Sequence, residues 1–167
     1  MRNKRLVLVV HNIRSAHNIG SILRSADGFG VDMVYLTGYS PYPSMAGDKR
    51  LPHVAKRAEA QIVKTSLGAE KFIKWQYKAD VFELLKKLKA DNFKVFALEQ
   101  TDKSISLPKF KSDSDITLIV GSEIGGVQKD LLQLADEFLE IPMSGAKDSL
   151  NVSVATAVAL YHLRYRS

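Results

Sequence analysis

Two periodicities alternate along this chain: short unbroken apolar runs, and apolar residues recurring at helical spacing. Leu6 to Val10 is a continuous run of the kind a strand carries when both its faces are buried, and Ile19, Ile22, Leu23 and Ala26 follow at helical spacing. Asn18 is the expected N-cap of that helix and Gly28 its stop. Met33 to Leu36 resumes a strand, the glycines and prolines from Thr37 to Pro52 read as a long loop, and Val54 to Lys64 reads as a helix. Lys71 to Tyr77 alternates like a strand. Val81 to Ala90 is an amphipathic helix with Lys86, Lys87 and Lys89 on its wet side, and Phe93 to Leu98 is another strand. Ile116 to Val120 reads as a buried strand, Lys129 to Ala135 as a short helix, Phe138 to Ile141 as a strand, and Leu150 to Tyr165 as the closing helix. No low-complexity linker or internal repeat interrupts this alternation, which predicts one α/β domain. The closing helix is unusual in being apolar around much of its circumference, through Val154, Ala155, Ala157, Val158, Ala159 and Leu160. Such a helix is buried by the sheet or by another subunit.

A length of 167 residues allows a single domain with a real core, and 46% hydrophobic content excludes general disorder. Lysine and arginine number 24 against 18 acidic residues, and the resulting net charge of +6 and pI near 9.5 favour a polyanionic partner through counterion release. The absence of cysteine removes disulfides, thiolate metal sites and cysteine nucleophiles, and it fits a cytoplasmic location. The N-terminal apolar run is too short for a signal peptide or a membrane span, so a soluble intracellular protein with no membrane partner is expected. Histidines 11, 17, 53 and 162 lack the i, i+4 spacing of a metal pair, so no metal is expected.

Three polar, glycine-punctuated blocks stand where strands end, which is where α/β proteins expose their chemistry. The first runs from Asn18-Ile19-Gly20 to Arg24, with Arg24 on the side of its helix opposite the apolar stripe. Arg24 is either a solvated surface charge or a planar donor set suited to a phosphate. The second is Gly121-Ser122-Glu123-Ile124-Gly125-Gly126-Val127, between a buried strand and a helix. Its glycines serve either a tight turn or close backbone approach to a ligand, and Glu123 sits near a helix N-terminus. The block is neither the dinucleotide-binding G-x-G-x-x-G nor a P-loop, which argues against nucleotide hydrolysis. The third passes from Ile141-Pro142-Met143 through a polar loop to Ser149-Leu150-Asn151. Ser149 is the expected N-cap of the closing helix, and Asn151 falls in its first turn, where its side chain competes with the backbone and a polar ligand would justify it.

In order and spacing, from Leu6 to Arg166, these blocks resemble the SpoU (TrmH-type) branch of the SPOUT RNA 2′-O-methyltransferases. The resemblance implies an α/β domain with a largely parallel sheet and a deep C-terminal trefoil knot, complete in residues 1–167 without a separate RNA-binding extension. It also implies a homodimer. By position in the motifs it assigns catalytic or substrate roles to Asn18, Arg24, Glu123, Ser149 and Asn151. Leu98, Gly121, Gly126, Ile141, Met143 and Leu150 are assigned to an S-adenosylmethionine pocket. Ser122 departs from the pattern, since an asparagine is common there.

The reaction implied is in-line attack of a ribose 2′-hydroxyl on a sulfonium methyl, in tRNA or rRNA. It needs no metal, and it asks the protein to align the hydroxyl and stabilise developing negative charge. Arg24 fits charge stabilisation and phosphate positioning better than proton abstraction, because a guanidinium scarcely loses its proton. Candidate RNA contacts are Arg14, Lys49, Arg50, Lys56, Arg57, Arg164 and Arg166. The rival readings are a catalytically silent RNA-binding module of the same fold and, more distantly, a flavodoxin-like regulator. A regulator would want acidic residues after its first strand, where this chain has His11, Asn12 and Arg14.

Overall fold

The computed structural model describes residues 4–167. Seven strands form one sheet: β1 (Leu6–His11), β2 (Met33–Thr37), β3 (Trp75–Lys78), β4 (Lys94–Leu98), β5 (Ile105–Ser106), β6 (Ile116–Val120) and β7 (Glu137–Glu140). Their spatial order is β3-β2-β1-β6-β4-β7-β5, and every pairing is parallel. The helices are α1 (Ala16–Gly28), α2 (Pro52–Ser66), α3 (Val81–Ala90), α4 (Lys129–Leu132) and α5 (Val152–Tyr165).

Because successive side chains of a strand point to opposite faces, β1 feeds two cores. Leu6, Leu8 and Val10 pack with Ile19, Ile22 and Leu23 of α1, Ile62 of α2, and Ala159, Leu160 and Leu163 of α5. Val7 and Val9 pack with Leu84, Leu85 and Leu88 of α3, and with Leu131 of α4. The central strands β1 and β6 are therefore buried at every position, as a parallel sheet covered on both faces requires. Gly20 belongs to this packing: a Cβ there would lie 2.2 Å from the Ile62 carbonyl, so the glycine lets α1 and α2 meet closely.

Several boundaries differ from the sequence reading. Ser15, not Asn18, caps α1: its backbone is extended and its hydroxyl accepts from the Asn18 amide at 3.2 Å. Asn151, not Ser149, caps α5, with its carboxamide oxygen accepting from the Ser153 amide at 2.9 Å. The helix begins at Val152 rather than Leu150, and the expected discomfort of Asn151 disappears because a cap is where such a side chain is favoured. The segment from Lys71 opens with the end of a 3-10 turn (Ala69–Lys71), and pairing with β2 starts only at Trp75. The helix after the second block stops at Leu132, three residues short of Ala135. Strand β5 was missed; two residues leave no periodicity to read.

Among the described residues no helix is long and apolar enough to cross a membrane.

Candidate active site

In a parallel sheet all strands end on one edge, and the crevice opens where neighbouring strands send their chains to opposite faces. Here that point lies between β1 and β6. The chain leaving β1 enters α1 in one core, while the chain leaving β6 passes through residues 121–127 to α4 in the other. The first and second blocks thus face each other, and the third arrives from β7 on the way into α5.

Hydrogen bonds join the three. The Asn18 amide nitrogen donates to Glu123 Oε1 at 2.7 Å, and the Asn151 amide nitrogen donates to Asn18 Oδ1 at 3.3 Å. Asn18 is free to do this because Ser15 has taken over the cap. A single asparagine, half-buried on the first turn of α1, therefore ties together residues 105 and 133 positions away.

Beside this junction lies a cavity of about 380 Å³, within the range of small-molecule sites. Its lining includes Leu98, Gly121, Gly126, Ile141, Met143 and Leu150, all six positions assigned to the cofactor from sequence, together with Glu123 and Ser149. Asn18 and Asn151 stand at its margin through their hydrogen bonds to Glu123 and each other. Arg24 is not brought in. It is exposed on α1, outside the lining, and six residues beyond Asn18 it projects from a different side of the helix.

Residues 122–126 close on themselves. The Ser122 amide donates to the Gly126 carbonyl at 3.0 Å, the Gly126 amide returns the bond at 2.9 Å, and the Ser122 hydroxyl accepts from Gly125 N at 3.0 Å. A Cβ on Gly121 would fall 2.2 Å from the Gly126 backbone, and one on Gly126, whose φ is +60°, would meet the Glu99 carboxylate at 2.1 Å. The glycines are demanded first by the loop's own packing, which shapes the cavity wall.

Glu99 is the residue that sequence reasoning missed. Its carboxylate accepts from Val127 N at 2.9 Å and from Gln100 N at 3.1 Å, so it staples the end of β4 to the exit of the glycine loop. The available signal was an acid immediately following the apolar run that ends at Leu98. With Glu123 and Asp148, Glu99 also gives the cavity an acidic lining.

His11, at the end of β1, braces the other side of the crevice. It is 5% exposed, with Nδ1 2.8 Å from the Thr37 hydroxyl and Nε2 3.2 Å from Gln128 Oε1. A neutral ring that donates from Nε2 and accepts at Nδ1 satisfies both contacts. Burial pushes its pKa below the ordinary 6.5, against the opposing effect of the Gln128 hydrogen bond.

Two of the candidate RNA contacts are otherwise engaged. Arg50 pairs with Asp48 at 2.6 Å and donates to the Tyr42 and Pro43 carbonyls, and the hydrogen bonds from its side chain and backbone amide hold the Asp48 carboxyl at a pKa of about 2. Arg164 donates to the carbonyls of Phe29, Lys4 and Gly30. Both are structural braces. Arg14, Lys49, Lys56, Arg57 and Arg166 are exposed.

Residues 5–161 match the SpoU rRNA Methylase family, and the chain belongs to it. Among its relatives is a tRNA (guanosine(18)-2′-O)-methyltransferase of Aquifex aeolicus, 29% identical over 160 residues that span 96% of this chain and 69% of that one. Another is a 23S rRNA (guanosine(2553)-2′-O)-methyltransferase of Bacillus subtilis, 31% identical over 162 residues, 96% of this chain and 58% of that one. The crystal structure of an AdoMet-bound rRNA methyltransferase from Sinorhizobium meliloti superposes with a TM-score of 0.80 over 96% of this chain and 56% of that one; at 22% identity the likeness establishes the α/β fold. The chain thus spans between 56% and 69% of the length of these proteins.

Proposed function

We propose that this chain is the catalytic domain of an S-adenosylmethionine-dependent methyltransferase acting on a ribose 2′-hydroxyl of tRNA or rRNA. The observation that carries this reading is the junction of Asn18, Glu123 and Asn151 at the mouth of a cavity of suitable size.

The cavity fits the cofactor on chemistry as well as volume. Leu98, Ile141, Met143 and Leu150 offer apolar walls for an adenosyl group, and Glu99, Glu123 and Asp148 suit a ligand bearing a sulfonium and an ammonium charge. S-adenosylmethionine, when bound, supplies a methyl group made electrophilic by its sulfonium. The protein's own work is alignment and charge stabilisation. Asn18 and Ser149 have the donors and acceptors to orient a ribose hydroxyl, and Glu123 and Asn151 hold Asn18 in place; Arg24, outside this chain's own cavity, neutralises an RNA phosphate beside the target of a second subunit's site.

The knot and the homodimer belong to the same reading. Val154, Val158, Tyr161 and Tyr165 of α5 are 48%, 41%, 45% and 59% exposed, an apolar stripe that a second subunit would cover. Calorimetry of the folded protein with S-adenosylmethionine, joined to mapping of 2′-O-methyl sites in total RNA from a deletion strain and its parent, tests the enzyme. Binding and a lost methyl site are expected; no binding would leave a silent RNA-binding module. A stable, fully active monomer at micromolar concentration, or Val158→Glu without effect on mass or activity, would overturn the dimer.

A further inference from the structure

Loop 38–51, which follows β2, is long enough to be floppy and is instead tied down along its length. Arg50 lies over the Tyr42 ring at 3.5 Å, Tyr42 stacks on Tyr77 of β3 at 4.3 Å, and the Tyr77 hydroxyl donates to the Gly38 carbonyl at 2.9 Å. At its start two residues with positive φ meet: Asn12 at 57° and Gly38 at 65°. The Asn12 side-chain oxygen accepts from Tyr39 N at 3.1 Å, and a Cβ on Gly38 would strike that same oxygen at 1.9 Å. Backbone strain is thus accepted, and a close approach made, to fix the Tyr39 main chain.

The residue so fixed, Tyr39, is left 55% exposed. An aromatic ring on a rigid loop would ordinarily be buried, because its area is worth much in a core. Position explains the choice. Leu36 and Val120 both pair with Val10, so Tyr39 and Glu123 each stand three residues past one row of the sheet. With strands about 4.8 Å apart, the bases of the two loops are about 10 Å apart along the crevice edge. Exposed Arg14 and Lys49, from the loops that Asn12 joins, supply positive charge.

We propose that Tyr39 is a base-stacking subsite for RNA, receiving an unpaired base that flanks the target nucleotide. An exposed aromatic side chain on a fixed main chain, in loops that also carry cationic residues, is what splayed-out bases stack on, and it restricts the substrate to single-stranded loops or ends. The proposal rests on the methyltransferase reading above and adds to it the element that holds the strand.

The test uses the full chain, S-adenosylmethionine carrying a radiolabelled methyl group, and total RNA from cells lacking the gene. Wild type, Tyr39→Ala, Tyr39→Leu and Tyr39→Phe are compared for cofactor affinity and for methyl incorporation against RNA concentration. Tyr39→Ala and Tyr39→Leu are expected to raise the apparent KM for RNA by about tenfold or more, with cofactor affinity unchanged, and Tyr39→Phe to restore it. A wild-type KM for Tyr39→Ala, or rescue by leucine as complete as by phenylalanine, overturns the stacking subsite. If wild type itself neither binds the cofactor nor methylates, the parent reading fails and the subsite fails with it. A wild type that methylates alongside an indifferent Tyr39→Ala sinks the subsite alone.

Discussion

The crevice has two sides built on different principles. On the β4–β6–β7 side the wall is made by steric exclusion: the backbone at Gly121 and Gly126 has no room for a Cβ, and a carboxylate, Glu99, staples the loop to the end of β4 through the Val127 amide. On the β1–β2 side order comes from side chains, with Asn12, Arg50 and Tyr77 holding loops whose outer residues stay exposed. A wall that forbids side chains suits a ligand of constant shape, whereas a braced loop with exposed charged and aromatic residues suits a flexible strand. Substitutions on the first side should therefore move cofactor affinity, and those on the second should move RNA binding and rate.

Gly121→Val strikes the first side hardest. Its side chain must displace the Gly126 backbone, and such overpacking costs about 1–3 kcal/mol even where neighbours can give. Loss of detectable S-adenosylmethionine binding is expected in calorimetry, with thermal melting checking that the remainder folds. Normal affinity in a folded variant would erase the contrast. Arg24→Ala should do the opposite, lowering the single-turnover rate on saturating RNA by about 100- to 1,000-fold while leaving cofactor affinity nearly intact, with lysine a poor substitute. A near-wild-type rate would remove Arg24 from the mechanism.

Glu99→Ala leaves two backbone amides without their charged acceptor, a loss of about 1.5–3 kcal/mol per such bond at most. Cofactor affinity should fall about tenfold, and equilibrium dialysis would show it. Asn18→Ala cuts the link between the sides, each bond being worth about 1 kcal/mol. The rate should drop about fivefold with little change in affinity; a change in affinity instead would assign Asn18 to the first side.

The smallest effect concerns His11, which braces both sides. Its folded pKa lies below 6.5, so between those two values the unfolded chain binds a proton that the native state does not. Stability should therefore fall as pH drops from 6.5 toward the folded value, and be unaffected above that window. Urea unfolding of wild type and His11→Gln on either side of pH 6.5 checks the sign: the variant should lack this part of the pH dependence.

Much of the fold was legible because its signals are local. The unbroken apolar runs of β1 and β6 and the helical spacing of α1 and α3 need only neighbours in the chain, and the three blocks announced themselves at strand ends. The caps were misread for the same reason. Ser15 and Asn18, like Ser149 and Asn151, are pairs of equally good capping residues, and the choice within each depends on contacts more than 100 residues away that draw Asn18 to Glu123 and Asn151 to Asn18. Nor could composition separate Arg50 and Arg164, consumed by backbone carbonyls, from the exposed Arg14 and Arg24.

What the chain determined by itself, then, is the inventory: which segments are strands and helices, that their order builds a parallel sheet with both faces covered, and which polar residues cluster at the ends. Hydrophobic periodicity carries that information because burial acts on each segment separately. Only the tertiary structure decided how the inventory is used. Strand order put β1 against β6 and so Asn18 against Glu123, packing converted Gly121 and Gly126 from flexible residues into a wall, and Glu99 acquired its function from an amide 28 residues along. Those outcomes rest on directional contacts and excluded volume between distant segments, which exist only once the chain has closed on itself.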